Sequence, residues 1–403
     1  MTEKLFYQDA YLTAFDATIK QIRNREGKIL LAFDRTAFYP EGGGQGPDCG
    51  CILAEGSQET IPVLDVQEEG DEIWHSVSDE TSLLFSEGMK VHGQINWEHR
   101  FDHMQQHSGE HIVSGMICKE FHCDNVGFHL GEDEVTIDYN TRISMEDALR
   151  IEEQANRYLW ENHPFIELWP TPEELNEIEY RSKKELEGAV RITQFPGADS
   201  CACCGTHVRS SAEIGLVKIV SAHNFHEGTR LVLLCGKRAM DFLNKNYQAN
   251  KQTAVLLSTK EERTPEIVQK QMEDLIALKA KISRLEDDYF KLWAKSFHGQ
   301  KNALVITDHI DAEEGRALCD LIADEVSGLA AVFTRVKEEA EAGKVTYRYA
   351  CMQRSGEIGD LIKEMNAELS GRGGGRNGFA QGSVQADEKK IHTFFTVKNL
   401  TNE

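Results

Sequence analysis

Two histidines four residues apart, in His107-Ser108-Gly109-Glu110-His111, are the strongest chemical signal in this 403-residue chain. On a helix, positions i and i+4 differ by about 40° in azimuth, so both imidazoles face one way and can grip one ion. Far downstream, Cys203-Cys204-Gly205-Thr206-His207 offers a thiolate and an imidazole at the same spacing across a glycine. Two histidines joined by a cysteine and a third histidine make a tetrahedral nitrogen and sulfur set suited to zinc. The spacing to His207 favours Cys203, while Cys201 and Cys204 stay open as substitutes. His103 continues the series, but another step turns it about 80° from His111, so it is expected behind the ligands or in the core. Glu110 precedes His111 without an HExxH pattern and is expected on a solvated helix face.

The rest of the composition narrows what such a site can serve. With 44 basic and 67 acidic side chains the formal charge is −23, which argues against non-specific DNA coating or adhesion to anionic lipid. Residues 301–403 hold 13 basic and 17 acidic side chains, so the C-terminal quarter is the least repulsive place for a polyanion. The N-terminus has no apolar signal-like region and no run of 18 apolar residues follows, which predicts a cytoplasmic protein without a membrane span. Ten cysteines, three of them clustered beside His207, then read as a metal site in a reducing compartment. Scattered Cys49, Cys118, Cys235 and Cys351 read as small buried hydrophobes.

The elements that must position these groups predict an α+β fold. Residues 1–95 carry short strands and frequent turns, including a hairpin tipped by Glu26-Gly27, and predict a glycine-rich β-barrel. Residues 96–240 form an α+β core, with helices over 100–120 and 144–162 and a third opened by the capping box Thr171-Pro172-Glu173-Glu174. Strands return at 185–195, 213–225 and 228–236. Residues 241–295 are a helical stalk in which Leu275, Leu278, Ile282, Leu285, Tyr289 and Leu292 recur at a/d spacing, a seam for a helical hairpin or a homodimer. Residues 296–403 alternate strand and helix and form an α/β domain that includes Gly371-Arg372-Gly373-Gly374-Gly375-Arg376. That run fits neither a P-loop nor a dinucleotide fingerprint.

The HxxxH and CxxxH pair closely resembles that of alanyl-tRNA editing domains. Three further motifs lie in that family's order. Phe38-Tyr39-Pro40-Glu41-Gly42-Gly43-Gly44-Gln45 is similar to its glycine-rich motif. Asn96 to His107 resembles the entry into its first metal helix. Gly371 to Gly382 resembles the DHHA1-type tail shared with alanyl-tRNA synthetases. The resemblance covers essentially the whole chain and points to the long-form AlaX family of free-standing editing proteins.

This resemblance implies a hydrolase that deacylates tRNA(Ala) mischarged with serine, and glycine too, at a site holding Zn2+ through His107, His111, Cys203 and His207. The barrel begins at residue 1, so action in trans on a tRNA charged elsewhere is expected. Zinc would either activate water or only anchor the amino acid or terminal adenosine. A non-catalytic, zinc-stabilised tRNA-binding module is the alternative. Thr36 falls where the family places a substrate-facing threonine, and Gln45 is a second polar candidate for sensing the serine hydroxyl. The tail resemblance implies tRNA contacts by Arg372, Arg376, Lys389 and Lys390. A tight turn packed into its own domain is the other reading of the glycine run.

Overall fold

The computed structural model describes residues 1–25, 27–78, 85–182, 190–336 and 345–401. The chain divides into two units, Met1–Thr253 and Ala254–Glu403. Mixed helices and sheets agree with the α+β expectation.

The first unit opens with β1 (Glu3–Lys4), β2 (Ala14–Arg25), β3 (Lys28–Phe33) and β4 (Arg35–Thr36). β2 and β3 make the expected hairpin, with Gly27 at φ +74°, although Glu26 lies outside the described residues. After β4 come β5 (Gly50–Ala54), β6 (Thr60–Val63), β7 (Asp65–Glu69), β8 (Glu72–Ser78) and β9 (Lys90–Ile95). Seven of these strands pair in the order β6-β5-β9-β2-β3-β8-β7. The twelve-residue β2 gives its first half to β9 and its second half to β3, with a bulge between Ile19 and Gln21 where the sheet turns. No ladder among the described residues joins the edge strands β6 and β7, so the expected barrel is a bent open sheet. Those edges are successive stretches of chain with Leu64 between them, and a string of strands in sequence does not say whether its ends pair. Phe15, Ile19, Leu31, Phe33, Ile52 and Val66 belong to the sheet's buried core.

After the sheet comes α1 (Trp97–Phe121), whose Asn96 side chain caps it by accepting from the His99 amide. Residues 103 through 115 are buried without a break, so this helix has no solvent face in its middle. Around it lie β10 (Asn125–Leu130), β11 (Val135–Tyr139), α2 (Met145–Glu161), β12 (Ile166–Leu168), the single turn α3 (Pro172–Leu175), β13 (Ile192–Phe195), β14 (Asp199–Ala202), β15 (Val217–Phe225) and β16 (Gly228–Cys235). The Thr171 capping box is present, yet the helix it opens is only four residues long. The strand expected from residue 185 starts at Ile192, and its part over 185–189 lies outside the described residues. Sheets β10-β11-β16-β15 and β12-β13-β14 enclose the helix with a core of Met104, Ile112, Val113, Ile117, Ile137 and Leu231.

α1 is fastened to the glycine-rich segment by Arg100, which is 0% exposed. Its Nε donates to both Asp48 oxygens, at 2.8 and 3.0 Å, and its terminal nitrogens donate to the carbonyls of Ala10 at 2.7 Å and Ala37 at 2.6 Å. Asp48 also accepts from the Tyr39 amide at 2.6 Å. One side chain thereby sets the register of the helix against the segment that carries Gln45.

Helix α4 (Gly236–Leu256) follows β16 directly. In the second unit, α5 (Thr264–Lys295) runs for 32 residues. Its seam from Leu275 to Leu292 is more than half exposed at every position. Then come β17 (Ala303–Thr307), α6 (Ala312–Glu325), β18 (Ala330–Arg335), β19 (Thr346–Met352), α7 (Gly359–Glu368), β20 (Arg372–Arg376), β21 (Phe379–Gln385) and α8 (Glu388–Val397). The sheet order is β17-β18-β19-β21-β20. α6 and the end of α5 pack on one face, and α7 and α8 on the other. The glycine run is edge strand β20, turned into β21 by Asn377 at φ +54° and Gly378 at φ +78°.

Candidate metal centre

Helical spacing brings His107 and His111 to one side of α1 with ring centroids 5.1 Å apart, and His207 closes on them at 4.6 and 4.8 Å. The Cys203 thiol lies 3.5 Å from His107 Nε2 and 3.4 Å from His207 Nε2. One donor atom from each of His107, His111, Cys203 and His207 lies within 4.8 Å of all the others. Cys201 is buried and groups with His111 and Asp199, Cys204 is exposed, and His103 is not among the four, its ring tilted against His99 with centroids 4.1 Å apart.

The outer nitrogens decide whether these rings can act as ligands. His107 Nδ1 donates to Gln45 Oε1 at 2.8 Å, an oxygen that also accepts from the Thr206 amide. His111 Nδ1 donates to Asp199 Oδ2 at 2.8 Å. His207 Nδ1 lies 3.1 Å from the Ser108 hydroxyl. With the Nδ1–H groups of His107 and His111 spent outward, their Nε2 atoms are turned to the middle, the arrangement that fixes metal-binding imidazoles. Burial pushes the Cys203 thiol up, but the three imidazoles outweigh it and hold it well below the ordinary thiol range. The Gly205 amide adds a donor to that sulfur at 3.3 Å. The donor set therefore fits a borderline-soft cation.

A second layer holds the first, and the sequence did not single it out. Arg181 grips Asp199 with two hydrogen bonds, at 2.7 and 2.9 Å. Burial opposes the charge on Asp199, yet His111 and Arg181 keep its carboxyl below the usual range. Arg191 donates to the carbonyls of Cys203 and Gly205, at 3.0 and 2.8 Å, and to Glu167 at 2.6 Å, which pins the ligand loop. Phe128 stacks on His107 and Phe165 on His207. A Cβ at Gly205 would sit 2.2 Å from the His107 ring, so only glycine lets the loop approach. Asp199→Asn should weaken zinc affinity about 10- to 100-fold in a chelator competition while leaving the fold intact.

Glu110 is not on a solvated face. It is 1% exposed, accepts from Ser114 at 2.7 Å and Asn125 at 2.6 Å, and its other oxygen lies 4.0 Å from His111 Nε2. A helix buried on every side gives periodicity no face to report.

The two polar candidates of the first strands part company. Gln45 reaches the cluster through His107 and through Thr206, whose hydroxyl accepts from its amide at 2.9 Å. Thr36 is fully buried in the sheet core and hydrogen-bonds to none of the four cluster residues. His75 donates from Nδ1 to the Leu31 carbonyl, and burial lowers it to about 4, so its neutral Nε2 accepts the Thr36 hydroxyl at 2.8 Å. In the second unit, Arg372 and Arg376 belong to exposed β20, whereas Lys389 and Lys390 open α8 on the opposite face of the sheet. No helix among the described residues is long and apolar enough to cross a membrane.

The family description "tRNA synthetases class II (A)" matches residues 3–99, and "Threonyl and Alanyl tRNA synthetase second additional domain" matches residues 190–232, which include Cys203 and His207. The alanyl-tRNA editing protein AlaX-L of Pyrococcus horikoshii is 27% identical over 97% of this chain and 96% of its own length. The alanine–tRNA ligase of Pyrococcus furiosus is 30% identical over 98% of this chain, which spans only 43% of that ligase. The ligase of Metallosphaera sedula is 35% identical over 56% of this chain and 25% of its own length. Among solved structures, the C-Ala domain of Aquifex aeolicus alanyl-tRNA synthetase is 21% identical over 26% of this chain and 95% of that domain, with a TM-score of 0.21.

Proposed function

Starting from a chain that is similar to an alanyl-tRNA editing protein along almost its entire length, we propose that it is an aminoacyl-tRNA deacylase that frees serine, and glycine, from mischarged tRNA(Ala). The observation that carries this reading is the convergence of three imidazole nitrogens and one thiolate. Zinc, bound there by His107, His111, Cys203 and His207, would supply a fixed positive charge for the ester carbonyl or for water. An aminoacyl ester is already activated and needs orientation and charge stabilisation more than a strong nucleophile.

The chain's own residues do the positioning. Gln45 aims His107 and is held in turn by Thr206. Asp199, anchored by Arg181, aims His111. Phe128 and Phe165 wall the rings and keep water from their flanks. The second unit binds the body of the tRNA, and the apolar row of α5 meets a second copy of the chain. The protein works in the cytoplasm, where a thiolate ligand stays reduced.

The four-donor set also favours a second reading, a tRNA-binding module with a structural ion, because closed sites are the structural kind. Turnover separates the two: release of serine from seryl-tRNA(Ala) at sub-stoichiometric protein supports the hydrolase, and zinc-loaded, folded protein without turnover supports the module.

Thr36→Val tests the hydroxyl sensor. The local bonding of this side chain predicts a ratio of serine to alanine ester hydrolysis within about twofold of the unsubstituted protein, whereas a side chain that hydrogen-bonds the substrate would lower it by orders of magnitude.

A further inference from the structure

Helix α1 ends at Phe121 with His122 in the left-handed region at φ +50°, and the chain folds back so that the Cys123 amide donates to the Cys118 carbonyl at 3.3 Å. A helix closed in this way brings the side chains of those two positions against each other. Here both are cysteines, and their thiols hydrogen-bond. Cys118 lies seven residues past His111, two turns along α1 and within about 20° of the same face. The pair opens on a cavity of about 750 Å³ whose wall also includes Lys119, Arg181 and Asp199. Asp199 orients His111 and Arg181 anchors Asp199, so this cavity reaches the residues that hold a cluster histidine in place.

Cys118 is therefore not the small buried hydrophobe that its scattered position suggested. It is half-buried, with Cys123 buried against it, whereas Cys235, Cys319 and Cys351 are each 0% exposed. Burial pushes those three thiols up, as expected of inert core cysteines. At Cys118 the hydrogen bond from Cys123, the Arg181 guanidinium and the Asn125 amide outweigh burial and hold the thiol below its ordinary range. The same hydrogen bond, together with burial, pushes Cys123 up. A reachable sulfur beside a cation, with a second thiol already in contact, has the make-up of an oxidisable cysteine and its resolving partner.

We propose that Cys118 and Cys123 form a redox-active dithiol that a hydroperoxide converts to a disulfide beside the Arg181–Asp199 pair. The Cys118 sulfur attacks one peroxide oxygen, forming an S–O bond as the O–O bond breaks, and the departing hydroxide takes the Cys118 proton and leaves as water. The Cys123 sulfur then attacks the Cys118 sulfenic acid, forming the S–S bond as the S–O bond breaks, and the second water carries off the Cys123 proton. Two thiols and one peroxide thus give one disulfide and two waters, with two electrons passing from sulfur to oxygen. This chemistry is separate from ester hydrolysis and uses none of the four cluster residues.

The test treats the full-length protein with hydrogen peroxide, blocks the remaining thiols and digests with trypsin. Lys119 lies between the two cysteines, so cleavage after it leaves Cys118 in peptide 101–119 and Cys123 in peptide 120–142, each with no other cysteine. The two peptides should be recovered joined and should separate on treatment with dithiothreitol. Free thiol should disappear at Cys118 at least about tenfold faster than at exposed Cys204. Cys123→Ser should trap the intermediate as a dimedone adduct on Cys118, and Cys118→Ser should give neither adduct nor joined peptides. Oxidation of Cys118 no faster than of Cys204, or Cys118 joined to cysteines other than Cys123, overturns the proposal. So does joining at the same rate in urea-denatured protein, since the fold would then contribute nothing.

Discussion

Cys203→Ala and His107→Ala proteins should each fold, lose tightly held zinc and hydrolyse seryl-tRNA(Ala) at least about 10³-fold more slowly, because a bound cation contributes several kcal/mol of charge stabilisation. Folding should survive, since the cluster borders a core that includes Ile112, Val113, Ile117, Phe195 and Val208 and does not replace it. Zinc content, circular dichroism and deacylation of pre-charged tRNA measured together decide the matter. Lost zinc with undiminished turnover would show that the four residues do not serve the chemistry. A protein that unfolds with its zinc would move the site to the structural class.

Arg100→Leu carries the largest expected cost in stability. It strands Asp48, 1% exposed, without its partner and frees the carbonyls of Ala10 and Ala37. Breaking a buried pair from one side typically costs about 3–5 kcal/mol. The Arg100→Leu, Asp48→Leu double variant should recover part of that loss, because no isolated charge then remains buried. Denaturant melts compare the three proteins, and a single-variant loss below about 1 kcal/mol would mean that solvent reaches Asp48. Zinc affinity should fall alongside stability, since the same side chain aligns α1 with the segment that offers Gln45 to His107.

How much of this was legible depended on whether the signal was local. The His107–His111 and Cys203–His207 spacings are local, and each pair does share a site. Among three cysteines, spacing and the family resemblance pointed to Cys203, and the structure groups that thiol with the three histidines while Cys201 of β14 groups with His111 and Asp199. Asp199 and Arg181 had no sequence signature: a strand position and an isolated bridge meet His111 only through long-range pairing. The bent sheet was mistaken for a barrel because strand strings report pairing partners poorly and closure not at all. Arg372, Arg376, Lys389 and Lys390 were grouped by charge and by nearness in the chain, whereas the β20–β21 hairpin and the turn into α8 separate them across a sheet. The heptad row on α5 was read correctly as apolar, but its period could not say that these side chains are left more than half exposed.

The helix that carries His107 and His111 has neighbours on all sides from residue 103 to residue 115. Most helices offer drift a permissive side, where substitutions accumulate harmlessly and alter surface character over generations. Here that latitude is gone for thirteen consecutive positions, so change along this rod must arrive in compensating pairs with the strands around it. Evolutionary tinkering with what the site accepts is thereby pushed outward, onto the loops and sheet edges that approach the rod's ends.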